Sequence, residues 1–144
     1  MPVRIVAGQD VAIAGWAGEQ LGVQFQEPYT AFGFVDASGS LCGACVLNDY
    51  YPGGNVEITY VGPQSITRRI ASFMARFCFE ELQATRVTAK TKRSNVTVRR
   101  LLPKGGFAFE YTQKRYFGPR SGDDALVFVL FRENAGKWLR RPSN

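Results

Sequence analysis

The segment that most restricts the folding choices of this chain is Val56-Glu57-Ile58-Thr59-Tyr60-Val61-Gly62-Pro63-Gln64-Ser65-Ile66-Thr67-Arg68-Arg69. Residues 55–61 alternate in character and read as a long strand, and Gly62-Pro63 then turns the chain. Ile66, Ile70, Phe73, Phe77 and Leu82 follow near helical spacing, with Met74 and Cys78 widening the apolar stripe. Arg68, Arg69, Arg76 and Glu80 take the wetter face. A helix starting near Ile66 has unpaired N–H groups and a partial positive charge at its first turn, where a phosphate fits. Arg68 and Arg69 stand in that turn and oppose the dipole. They either meet an anion there or are simply solvated.

Around this segment the chain reads as an alternation of short elements. Residues 3–7 suit a first strand. Asp10 can cap a weak helix that runs to about Leu21, weakened by glycines at 15, 18 and 22. Residues 31–36 and 41–48 are strands joined by the turn Ala37-Ser38-Gly39-Ser40, and with residues 55–61 they predict an antiparallel meander. Residues 86–91 form a strand, residues 95–102 a short helix stopped by Pro103 and Gly105-Gly106, and residues 107–117 and 125–132 two closing strands. The order β-α-β-β-β-α-β-α-β-β is α+β, with a βαβ crossover near the middle.

The 144 residues suffice for one domain, residues 1–144, with residues 133–144 as a tail expected to be flexible. With 45% hydrophobic and 21% charged residues the composition is globular, and no apolar run is long enough to span a bilayer. The start of the chain lacks the apolar core of a secretory signal, so a cytoplasmic protein is expected. Cys42 and Cys45 form a C-x-x-C, but residues three apart in a strand point to opposite faces, and the chain has no histidine. No metal site is expected. The net charge of +6 is uneven, because between Leu82 and Phe109 there is no acidic residue. Arg86, Lys90, Lys92, Arg93, Arg99, Arg100 and Lys104 all fall in that stretch, which implies a polyanionic partner: a phosphorylated cofactor or a nucleic acid.

The sequence of strand, turn, helix and strand, then Asn95, Val98 three positions on, and Gly106-Phe107 about a dozen positions on, resembles the GNAT superfamily of N-acetyltransferases. The likeness covers roughly residues 31–132. It resembles most the phage-encoded members, Mom-type proteins among them, that carry Gly-Pro and then Thr-Arg at the turn and a Trp-Leu near the end, here Trp138-Leu139. The resemblance implies a mixed twisted sheet of about six to seven strands with about three to four helices. It implies acetyl-CoA or another acyl-CoA as cofactor, with Tyr60, Val61 and Gly62 beside the pantetheine arm, which pairs with exposed backbone as an added strand would. Gln64, Ser65, Thr67, Arg68 and Arg69 would line the pyrophosphate, Asn95 would approach the arm from the other side, and Lys92 and Arg93 would reach the 3′-phosphate. Two departures stand out. Thr67 and Arg69 occupy positions where the family places small residues, and Leu102 stands where many members carry a tyrosine acid.

Amine acylation needs a base and an acid. Glu57 resembles the strand glutamate that some members use as base, although it equally suits a cross-strand ion pair. The backbone N–H near Val61 is the expected oxyanion donor. Tyr111 and Tyr116, with Tyr60 as a third candidate, are expected as acids. The partners implied are a CoA thioester and an amine acceptor, with a nucleic acid and a second copy of the chain as further candidates. Two alternatives accompany this reading. One is a Mom-like enzyme acting on a nucleobase stacked among Phe107, Tyr111 and Tyr116, aromatics that otherwise read as alternating core residues. The other is a non-catalytic module that uses its basic face.

Overall fold

A computed structural model describes residues 3–139. Its strands are β1 (Arg4–Val6), β2 (Thr30–Val35), β3 (Leu41–Asn48), β4 (Asn55–Val61), β5 (Arg86–Lys92), β6 (Ala108–Gln113) and β7 (Ala125–Phe131). Its α-helices are α1 (Asp10–Leu21), α2 (Arg68–Arg76), α3 (Val96–Lys104) and α4 (Gly136–Leu139). The seven strands make one mixed sheet in the order β1-β2-β3-β4-β5-β7-β6. The meander predicted for β2, β3 and β4 is present and antiparallel, with β3 and β4 running over the expected residues.

The chain divides into two compact units. One runs through Tyr50 and takes up Glu57–Thr67; the other holds Tyr51–Val56 and continues from Arg68. In the first, Ile13, Ala14 and Ala17 of α1 pack on Ala31, Ala44, Val46 and Val61, and the small alanines let helix and sheet approach closely. Beyond the α1 contact, the rings of Phe34 and Tyr60 stack with centroids 5.8 Å apart. Asp10 does not cap α1. It is the first helical residue, where its charge suits the dipole, and its carboxylate accepts the Ala31 N–H at 3.1 Å.

In the second unit β7 is the spine. It pairs with β5 on one side and β6 on the other, and Ala125 through Leu130 are all buried. Ile70, Met74, Cys78 and Phe79 add the helical share of the core. The segment expected as a tail carries a 3₁₀ turn at Arg132–Asn134 and then α4. Trp138 Nε1 donates to the Gly105 carbonyl at 2.7 Å, and the Arg132 guanidinium donates to the Phe79 carbonyl at 2.6 Å. Residues 140–144 of that tail lie outside the described residues.

Three boundaries differ from expectation. The helix begins at Arg68 and not near Ile66, because the Gln64 N–H donates to the Cys42 carbonyl at 3.0 Å and its side chain donates to the Ser65 carbonyl at 2.8 Å, which holds the turn. It then widens into a π-helical turn at Phe77–Glu81, where Leu82 N–H reaches the Phe77 carbonyl at 2.9 Å; the five-residue step from Phe77 to Leu82 is π spacing. Pro103 does not stop α3, since in the last turn it forfeits a single N–H and the helix closes through Gly105 N–H to the Leu101 and Leu102 carbonyls. The strand expected over residues 107–117 ends at Gln113. Arg115 adopts a left-handed φ of 56° and its N–H donates to Asp124 Oδ1 at 2.8 Å, so Tyr116 and Phe117 leave the sheet.

Candidate functional site

The turn after β4 is built against the start of β3. Gly62 sits at φ 111°, and a Cβ there would stand 2.8 Å from both the Cys42 carbonyl oxygen and Gly43 Cα, so only glycine fits. Gly43 has the matching constraint, because a Cβ on it would lie 2.9 Å from the Tyr60 hydroxyl. That hydroxyl donates to the Gln64 carbonyl at 2.7 Å, while the Cys42 Sγ–H donates to the Phe34 carbonyl at 3.2 Å. Gln64, expected to face pyrophosphate, thus spends its N–H and carbonyl holding the turn shut. Cys42 and Gly43 were not singled out as part of this site, although a glycine inside a strand is a signal of close backbone approach.

Burial, with lesser contributions from Cys45 and Cys42, pushes the Tyr60 phenol up to about 12. The two cysteines were expected on opposite faces. A register shift where β3 meets Phe34 and Val35 breaks the strict alternation, and both thiols come within electrostatic range of Tyr60. Among the described residues no cluster of three or more His, Cys, Asp or Glu could hold a metal.

Past the turn the chain opens outward. Ser65, Ile66 and Thr67 are exposed, and the amides of Ser65 and Ile66 have no intramolecular bond among the described residues. Two unpaired, solvent-facing amides are what an oxyanion or phosphate oxygen accepts from. Glu57, half-buried, stands opposite Asn48 in the β3–β4 ladder. Tyr60, Val61 and the turn follow it on the same unit.

The second unit holds the remaining expected residues. Arg68 and Arg69 open α2 and are exposed, with no acidic residue in that first turn. The Arg68 guanidinium lies over the Trp138 ring, 5.8 Å from its centroid, so Trp138 supports an arginine. Asn95 is the N-cap of α3: its Oδ1 accepts the Val98 N–H at 3.3 Å. The small residue three positions after the asparagine therefore has a plain role, supplying the capped amide. Lys92 and Arg93 face carboxylates, Asp123 at 3.9 Å and Asp124 at 3.5 Å.

Tyr111 and Tyr116 are 45% and 50% exposed, and Lys90 Nζ sits 4.8 Å from the Tyr116 ring centroid. The reading of these rings as alternating core fails for Tyr111, on the strand that ends the sheet order, and for Tyr116, in the turn beyond it, while Phe107 is half-buried. The two tyrosines do not share an element: Tyr111 is in β6 and Tyr116 in the turn beyond it.

No protein-family model matches the sequence, and no curated protein sequence is similar to it. Similarity appears in three dimensions. The spermidine/spermine N-acetyltransferase SpeG from Vibrio cholerae, in complex with manganese ions, superimposes with a TM-score of 0.76 at 12% identity, over 99% of this chain and 98% of that one. A chimera of spermidine N-acetyltransferase SpeG from Vibrio cholerae and hSSAT gives a TM-score of 0.70 at 15% identity, over 98% of this chain and all of that one. SpeG proteins are members of the GNAT superfamily, and the seven-stranded mixed sheet with its helices matches theirs. The chain has the GNAT fold.

Proposed function

We propose that this protein is an N-acyltransferase that moves an acyl group from acetyl-CoA, or another acyl-CoA, to an amine. The observation that carries the reading is the turn at Gly62–Thr67. It is locked against β3 from one side, and it presents unpaired amides at Ser65 and Ile66 just before the arginines that open α2. The residues fit the group: exposed N–H donors, a helix start and two guanidinium groups suit a pyrophosphate.

The cofactor supplies an activated thioester; the remaining chemistry falls to the chain. Gln64 and Tyr60 keep the turn in place, Ser65, Ile66, Arg68 and Arg69 bind phosphate oxygens, and Asn95 holds the start of α3. Glu57 is the proposed base, taking the proton from the amine directly or through water. Tyr111 and Tyr116 are the proposed acids. Tyr60 is a poor acid, because its raised phenol keeps its proton and already donates it to Gln64.

The phage relationship, a cytoplasmic location and a pairing of two copies belong to the same proposal. The alternative of a Mom-like enzyme on nucleobases draws support from the exposed rings of Tyr111 and Tyr116, the latter beside Lys90. The test is calorimetry and thermal shift with acetyl-CoA, followed by thiol release against a panel of amines that includes spermidine. Absence of heat and of any shift at millimolar acetyl-CoA would sink the reading. Altered host nucleosides on expression, seen by mass spectrometry, would favour the alternative.

A further inference from the structure

A cleft of about 570 Å³ opens in the second unit between α3, the edge strand β6 and its neighbour β7. Leu126 and Phe128 of β7 line its floor, and Phe109 of β6, 55% exposed, stands edge-on to Phe128 with centroids 5.7 Å apart. Arg93, Arg99 and Arg100 line it as well, and among the described residues no acidic side chain does. The size is that of a small-molecule site, and its lining divides between apolar side chains and the three arginines with Thr112.

The cleft depends on an irregularity in β6. Phe109 pairs with Phe128 and Tyr111 with Val127, so Glu110 is the extra residue of a bulge. In a regular strand Phe109 and Thr112, three apart, would face opposite ways. With the bulge both line the cleft. Glu110 is bound elsewhere, its carboxylate taking both guanidinium nitrogens of Arg86 at 2.5 and 2.9 Å. The bulge thus places an aromatic ring in the cleft while its one neighbouring carboxylate serves another arginine.

The three arginines are not equivalent. Arg93 is matched by Asp124 at 3.5 Å, and Arg99 donates to the Arg93 carbonyl at 2.9 Å, which fixes its plane. Arg99 and Arg100 meet no carboxylate among the described residues. Two uncompensated guanidinium groups over an aromatic and aliphatic floor match a planar ring bearing a carboxylate, which arginine binds in a forked manner. We infer that this cleft is a binding site for a small aromatic carboxylate, separate from the acyl-CoA turn. A polycation such as spermidine is the wrong charge for it.

Calorimetry on the full chain with 2-naphthoate, and with 2-naphthylmethylammonium as a similar ring of opposite charge, tests this at ~0.1 M salt, where long-range attraction is screened. Naphthoate is expected to bind saturably with a Kd below ~1 mM, a fair limit for so few atoms, and the cation at least ~10-fold more weakly. Arg100→Gln is expected to weaken naphthoate ~10-fold and Phe109→Ala several-fold. Both residues are exposed, so the variants should keep the wild-type circular dichroism and unfolding midpoint. Lys114→Gln, outside the cleft, should change nothing. Equal affinity for the two probes, or indifference to both cleft variants, overturns the proposal. Displacement of naphthoate by saturating CoA also overturns it, since the cleft would then belong to the cofactor site. Retained naphthoate binding without any CoA binding would leave this site standing while the acyltransferase reading fell.

Discussion

β6 and β7 lie side by side and pair phenylalanine with phenylalanine, yet β7 is buried nearly end to end and β6 is mostly exposed. Phe128 is 5% exposed and its cross-strand partner Phe109 is 55% exposed. The difference is position in the sheet. β7 is paired on both edges, whereas β6 ends the order and is bent by the bulge at Glu110. A phenylalanine in a strand therefore does not by itself predict burial; the strand's place in the sheet decides whether that ring becomes core or surface.

The most direct way to break this comparison is to truncate both rings. Phe128→Ala should cost about 3–5 kcal/mol in urea unfolding, as buried aromatic truncations do, and Phe109→Ala under ~1 kcal/mol. Similar losses for the two would show that β6 is covered in solution.

The turn after β4 sharpens the same point, because there a surface residue is as constrained as core. Gly62→Ala is expected to destabilise by ~2 kcal/mol through forbidden φ and backbone contact, and to abolish the thermal shift given by acetyl-CoA. Full stability together with full CoA response would remove the turn from the site.

Tyr60→Phe tests how the turn is held. Loss of the bond to the Gln64 carbonyl should cost about 1 kcal/mol near neutral pH and raise KM for acetyl-CoA more than it lowers kcat. The phenol is raised from 10.0 to about 12, so folding favours its protonated form. Below pH 10 the phenol is protonated in both states and there is no pH dependence. As pH rises from 10 toward 12 the unfolded state ionises first and the wild type loses stability that Tyr60→Phe retains. Parallel alkaline unfolding curves for the two proteins would contradict the buried, bonded placement.

The smallest effect should come from the exposed edge. Arg86 beside Glu110, through their hydrogen bond, holds that carboxyl below its ordinary value of 4.5. The stabilisation is present above that value and is lost as pH falls through the lowered folded one. Glu110→Gln should therefore cost less than ~1 kcal/mol at pH 7, and the difference from wild type should vanish in acid. A cost that persists in acid would point to the bulge and not to the ion pair.

Local chemistry was legible wherever one segment could settle its own structure. Residues 41–48, rich in strand formers, and residues 55–61, which alternate in character, became β3 and β4 with those limits, and residues 10–21 became α1 despite their glycines. The arginines at the start of α2 were also readable, since helix spacing and Gly62-Pro63 bracket that start to within two residues. The failures share a cause. Asp10 and Tyr116 were judged by local rules, but Ala31 and the carboxylate of Asp124 determined what each does.

By itself, the sequence determined the order of elements, the glycine that the turn requires and the charged stretch from Arg86 to Lys104, because periodicity, φ and net charge are properties of short runs of chain. Only the tertiary structure decided that Cys42 and Gly43 back the turn, that β6 is an edge, and that a bulge at Glu110 opens a cleft beneath Arg99 and Arg100. These depend on which distant residues meet, and burial and hydrogen bonding between strands are fixed by that meeting and not by the residues on either side.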